Sequence, residues 1–148
     1  MREDEFERWL PKMRQGYAED MIRNGGVAEE RAHAKASNDV EQLFPGEHPS
    51  PDQLVFVIEA DGEPVGDLWV AERDGDLEPS PWIYDVHVAE AHRGRGYGRA
   101  AMLYAEEEAR RRGIGQVALM VLGGNEVARG LYRSLGYVEN AVFMSRQV

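Results

Sequence analysis

The chain contains no cysteine. That excludes disulfides, thiolate metal sites and a covalent cysteine intermediate. Nowhere is there an apolar run of about 18 residues, so no membrane span is expected. The first residues, Met1 to Trp9, are charged and lack the apolar stretch of a signal peptide, which makes cytoplasmic residence the expectation. Histidines occur at 33, 48, 87 and 92 without metal-ligand spacing, and no metal is expected. There is no internal repeat, no low-complexity tract and no G-x-x-x-x-G-K-[ST] phosphate loop. Chemistry is left to carboxylates, Tyr, His, backbone groups or a soluble cofactor.

What is present is acid. The net charge of −10 argues against general binding to nucleic acid or to an anionic membrane. Its distribution is uneven: residues 1–80 carry 8 Lys/Arg against 20 Asp/Glu, whereas residues 81–148 carry 9 Arg against 7 Asp/Glu. The asymmetry fits an ordinary solvated acidic surface. It equally fits an anionic cofactor at the C-terminal half and a cationic acceptor near the N-terminal half. An apolar fraction of 43% over 148 residues supplies the core of one globular domain, residues 1–148.

The periodicity predicts a helix over 3–24, with Phe6, Leu10, Met13, Tyr17 and Met21 on one stripe and Asn24, Gly25 and Gly26 as its stop. A polar, Ala-rich helix follows at about 27–44, then a loop over 45–52. Leu54–Ala60 and Pro64–Ala71 flank Asp61 and Gly62 as a β-hairpin, and Glu72–Pro81 reads as a second turn. Trp82–Val88 is a strand. A helix over 98–112 is expected to bury Ala100, Leu103, Tyr104 and Ala109, with Arg110–Arg112 at its C-terminal dipole and Gly113 beyond. Gln116–Leu122 reads as an apolar strand, Glu126–Leu135 as a short helix, and Tyr137–Arg146 as a final strand or strand pair. The order predicts a mixed α/β fold with helices on both faces of the sheet.

Between strand 82–88 and the helix lies Arg93-Gly94-Arg95-Gly96-Tyr97-Gly98. Glycines there let the backbone approach an anion, and the helix N-terminus offers unpaired N–H groups. Arg93, Arg95 and Arg99 add positive charge. Gly96 to Ala101 also satisfies the G-x-G-x-x-A dinucleotide fingerprint. That fingerprint, however, belongs near the start of a parallel domain with an acid about 20 residues on, and Gln116–Leu122 has none.

Two segments together resemble the GNAT family of N-acetyltransferases. Arg93 to Gly98 matches its cofactor motif, Q/R-x-x-G-x-G/A. Asn125 to Tyr137 matches its N-x-x-A-x-x-L-Y-x-x-x-G-F/Y segment, with the intervening helix and strand in order. The likeness covers about residues 54–146. It implies a mostly antiparallel central sheet, with 54–148 forming the sheet and cofactor core and 1–46 a helical segment on the acceptor side. It implies that the backbone of Arg93, Gly94, Arg95, Gly96, Tyr97 and Gly98 binds the pyrophosphate of acetyl-coenzyme A. Val86 and Val88 would pair with the pantetheine arm, the N–H near Val88 polarising the thioester carbonyl. Asn125 and Ala128 would line the pantetheine and adenosine portion. Tyr132 would protonate the departing thiolate.

A phenol of ordinary pKa near 10 can serve that last step, although Leu131, Leu135 and Tyr137 make Tyr132 a candidate for core packing too. Alternation puts Asp85 and His87 on one face of their strand, opposite Val86 and Val88. Asp85 occupies the place where many family members carry an acid, and His87 titrates near neutrality, so either is a candidate base. Family members usually begin with a short strand before the first helix; here Met1–Glu3 is its remnant or the strand is missing. The implied function is transfer of an acetyl group to an amine, carried by a small molecule or a protein, by direct attack in a ternary complex. The acidic half points to a cationic acceptor such as a polyamine, aminoglycoside or protein lysine. The alternatives are a non-catalytic coenzyme A-binding or sensing domain and a nucleotide-binding oxidoreductase. Edge strands of a small sheet often pair across a dimer, which brings a homodimer among the expectations.

Overall fold

The computed structural model describes residues 1–71, 81–142, 144 and 146. Helices α1 (Glu3–Gly25) and α2 (Glu29–Leu43) precede strands β1 (Gln53–Ala60), β2 (Glu63–Ala71) and β3 (Pro81–Val88). Helix α3 (Tyr97–Arg111), the short strand β4 (Ala118–Leu119) and helix α4 (Glu126–Ser134) follow, and single 3-10 turns lie at Pro45–Glu47 and Glu90–His92. Strand order is β1-β2-β3-β4, antiparallel except for the parallel β3–β4 pair. The mixed, mostly antiparallel sheet expected from the sequence is present.

Helices lie on both of its faces because β2 alternates. Trp69 meets Phe6, Trp9 and Leu10 of α1 and Phe44 after α2. Its neighbours Leu68 and Val70 turn the other way, onto Met102, Ala105 and Ala109 of α3. The stripe of α1 is buried as its spacing predicts. Ala32 and Ala36 of α2 pack with Ala18 and Met21 of α1, which explains the alanines at those two positions. Gly26, in the left-handed conformation (φ 63°), caps α1 as the Asn24–Gly26 signal predicts.

The buried side of α3 matches the expectation at Ala109 and differs at Ala100, Leu103 and Tyr104. Ala101, Met102, Ala105 and Ala109 face the sheet, Ala100 is exposed, and Leu103 and Tyr104 are 50% and 44% exposed. Small side chains let the helix close on β3, where the Trp82 indole Nε1–H donates to the Ala105 carbonyl at 3.0 Å. Tyr104 instead packs its ring on Phe56 of β1.

Three further expectations change. The apolar stretch 116–122 forms only the two-residue β4. Residues 137–142, 144 and 146 form no strand, and the rest of the predicted final strand, 143 and 145, lies outside the described residues, as does 72–80 of the second predicted turn. Tyr137 is held by α3 rather than by a ladder, its hydroxyl donating to Glu106 Oε1 at 3.1 Å. Met1 and Arg2 form no strand; the Met1 ammonium donates to the Val55 carbonyl at 2.9 Å.

Two features of β3 shape its polar end. Trp69 pairs with Asp85 and Val70 with Ile83, leaving Tyr84 as the extra residue of a β-bulge. Tyr84 stacks on Trp69 with ring centroids 4.9 Å apart, so Tyr84 and Asp85 both face the α1–α2 layer. On its other side β3 pairs with β4 at Pro81 and Ile83, and among the described residues no strand pairs with that edge beyond Ile83.

Candidate active site

Among the described residues no strand covers the outer edge of β3 beyond Ile83, and the polar backbone groups of that edge point outward. Residues in an antiparallel pair alternate between exchanging hydrogen bonds and facing outward. The Ala89 N–H donates to the Val65 carbonyl (2.9 Å), which makes 65/89 and, by alternation, 67/87 the bonded pairs. The N–H and C=O groups of Val86 and Val88 therefore turn away from β2. Arg93 Nε donates to the Val88 carbonyl at 2.9 Å, leaving the Val88 N–H on the outward side.

The glycine loop continues this edge. Gly94 and Gly96 have φ of 76° and 87°, a region that favours glycine. The first α3 amide with a backbone acceptor is Ala100, on the Gly96 carbonyl at 3.0 Å. The N–H groups from Gly94 to Arg99 have no backbone acceptor among the described residues, which leaves an anion cradle at a helix N-terminus. Gly98 serves packing: a Cβ there would meet Leu131 Cδ2 at 3.4 Å and Val88 Cγ2 at 3.9 Å. Of the three arginines read as anion ligands, Arg93 is folded onto Val88 and Arg99 Nη2 donates to Ser134 Oγ. Arg95 is exposed, and none of the hydrogen bonds or ion pairs among the described residues involves it.

Helix α4 brings the phenol. Asn125 caps it, Oδ1 accepting from the Ala128 N–H at 3.1 Å, so these two motif residues are joined by a helix cap. Leu131, Tyr132 and Leu135 pack toward the α3-side core. Burial pushes the Tyr132 hydroxyl up to about 12, reinforced by the fields of Asp85 and Asp20. Arg129 and Arg133 both bind Glu139, fixing the chain beyond α4.

Asp85 is half-buried by the accessible surface of the whole residue, but its carboxyl sits deeper. Desolvation raises it to about 7; Asp67 and Asp20 push the same way, while His87 and the Val86 N–H oppose. His87 lies on the same face, as the alternation predicts. Its Nδ1 is 3.2 Å from Asp67 Oδ2, and its pKa is raised chiefly by that contact. Asp67 Oδ1 accepts the Trp9 indole N–H at 2.9 Å. Asp67, Trp9 and Asp20 have no motif to mark them. Asp67 becomes visible only through the β2–β3 register, and the length of the 72–80 connection hides that register from sequence.

Gly124 completes the frame. Its N–H donates to the Asn24 carbonyl (3.1 Å), and a Cβ there would come within 2.7 Å of that oxygen. The end of α1 is thereby fixed to the loop entering α4. Among the described residues no group of three His, Asp or Glu could hold a metal.

Residues 11–137 match the Acetyltransferase (GNAT) family. The chain belongs to that family. It is 31% identical over 149 residues to YdgE, an uncharacterized N-acetyltransferase of Bacillus subtilis (strain 168), covering 100% of this chain and 95% of that protein. YycN of the same organism is 28% identical over 149 residues, covering 100% and 96%. The YycN crystal structure matches over 100% of this chain and 95% of its own with a TM-score of 0.87. The GNAT fold is also shared with the aminoglycoside N-acetyltransferase AAC(6′)-Iy in complex with CoA, at 17% identity and a TM-score of 0.56 over 78% of this chain and 87% of that one.

Proposed function

We propose that the chain moves an acetyl group from acetyl-coenzyme A to a primary amine by direct attack in a ternary complex. The observation that carries this reading is the row of outward backbone groups on Val86 and Val88 leading straight into the amide cradle of Gly94 to Arg99. An amide-bearing arm that ends in a pyrophosphate needs those two features in line. Val86 and Val88 would pair with the pantetheine arm, and the backbone from Arg93 to Gly98 would take the pyrophosphate. Asn125 and Ala128 would contribute through the start of α4. The Val88 N–H is the donor for the thioester carbonyl.

An acceptor ammonium gives one proton to Asp85, directly or through water, with His87 on the same face. The freed nitrogen forms the C–N bond, the C–S bond breaks, and Tyr132 protonates the leaving sulfur. The amide keeps one of the three ammonium protons and another restores the phenol. The two groups are coupled through the field. Ionised Asp85 holds the Tyr132 proton on, and protonation of Asp85 removes that charge and makes the phenol a stronger acid just as the thiolate departs. The acidic N-terminal half, including Asp20, favours a cationic amine.

Turnover of acetyl-coenzyme A against a broad amine library is the test. Thermal shift with acetyl-coenzyme A beside NAD and ATP identifies the ligand, since a specific one stabilises by mass action. Stabilisation by NAD alone overturns the reading. Stabilisation by acetyl-coenzyme A with no turnover of any amine points instead to a non-catalytic coenzyme A-binding domain.

A further inference from the structure

We infer that Asp67 is a positioning residue for His87. It holds the imidazole with its proton on Nδ1, so that Nε2 is the nitrogen that relays the acceptor's proton from Asp85 to solvent, and Trp9 anchors Asp67 for the task. The inference rests on the acetyl-transfer reading above and adds to it the exit route of the proton.

Geometry carries it. Asp67 and His87 are direct cross-strand partners on β2 and β3, where side chains meet on one face. A carboxylate can only accept, so its contact at 3.2 Å places the proton on Nδ1. The other carboxylate oxygen is occupied by the indole N–H of Trp9, whose ring is buried against Phe44 and Trp69. Asp67 therefore has both oxygens engaged from two elements. Its side chain is 17% exposed and that of His87 51%, so the pair runs from the interior outward. Asp85 lies two residues along the strand on the same face. The charged groups acting on His87 are Asp67 on β2, Asp85 on β3 and Arg93 in the loop; the first two raise its pKa and the third lowers it.

The first test needs neither donor nor acceptor. Long-range 1H–15N spectra of the full chain report which ring nitrogen of neutral His87 carries the proton. Nδ1–H is expected in the wild type, with a lower His87 pKa and a switched tautomer in Asp67→Asn. Trp9→Phe, which keeps a ring but removes the indole N–H, is expected to give a smaller shift the same way. The second test uses the best amine from the library. Asp67→Asn is expected to lower kcat roughly 30-fold and move the acid limb of kcat/KM to lower pH. In a His87→Ala background the same change is expected to alter kcat by less than about 2-fold. An Nε2–H tautomer in the wild type, or a loss from Asp67→Asn that is equal with and without His87, overturns the inference. If no amine is acetylated while the Asp67-dependent tautomer is present, the transfer reading fails and the positioning assignment stands.

Discussion

In the proposed reaction Tyr132 and Asp85 take opposite duties, and their surroundings differ to match. Tyr132 is raised to about 12 and keeps its proton at neutral pH, as an acid must. Tyr132→Phe is expected to lower kcat about 100-fold and leave acetyl-coenzyme A affinity by calorimetry within about 2-fold; a large loss of affinity would make the residue a packing element. Asp85 is raised to about 7, so kcat/KM is expected to fall as pH drops below that value. The same shift governs stability. A raised carboxyl contributes stability that is complete below its ordinary range and is lost as pH climbs through about 7. Asp85→Asn is therefore expected to abolish most activity while stabilising the fold by on the order of 2 kcal/mol at pH 8, with little gain at pH 4. Urea melts at the two pH values measure it, and equal effects at both would contradict the burial of this carboxyl.

At the scale of elements, the glycine loop works through conformation. A Cβ on Gly96 would touch nothing within 4 Å, but the residue caps α3 at φ 87°. Gly96→Val is expected to force the loop out of that region and remove acetyl-coenzyme A binding, with helix content by circular dichroism unchanged. Unaltered calorimetric affinity would take the loop out of the site. Elements with strong periodicity or punctuation are legible in the sequence: α1 from its stripe, the hairpin from Asp61 and Gly62, the loop and α4 from their motifs. Others are hidden for physical reasons. The predicted 116–122 strand shrinks to β4 because an apolar run names no partner: Met120 is left exposed, and Leu122 packs with the α1–α2 cluster instead of continuing a ladder. Apart from Ala109, the face of α3 escapes the pattern because bulky Leu103 and Tyr104 look buried, whereas small residues such as Ala101 and Ala105 are what close approach to β3 selects. Asp67 and Trp9 depend on pairing across strands and layers, which no local pattern encodes.

Over the whole molecule, charge is divided between an acidic N-terminal half and a C-terminal half with excess arginine. A cationic acceptor and an anionic donor would approach complementary regions. KM for a polycationic amine is expected to rise several-fold between about 50 and 500 mM salt, and KM for a monoamine to change much less. Equal responses would remove the acidic half from acceptor recognition. Gly124 adds a mechanical tie, since the loop entering α4 is bonded to the end of α1.

Gly66 extends the consequences beyond this one chain. A Cβ there would lie 2.2 Å from the His87 carbonyl oxygen, so the backbones of β2 and β3 approach closely beside the acid–imidazole pair. A homologue with any side chain at that position must space these strands differently and lose the pairing. Glycine followed by aspartate in the second hairpin strand, with Asp-x-His in the next, is thus a four-residue signature. If the proposed relay holds, members of the family that carry all four residues are expected to share it, and members that lack them to release the proton by other means.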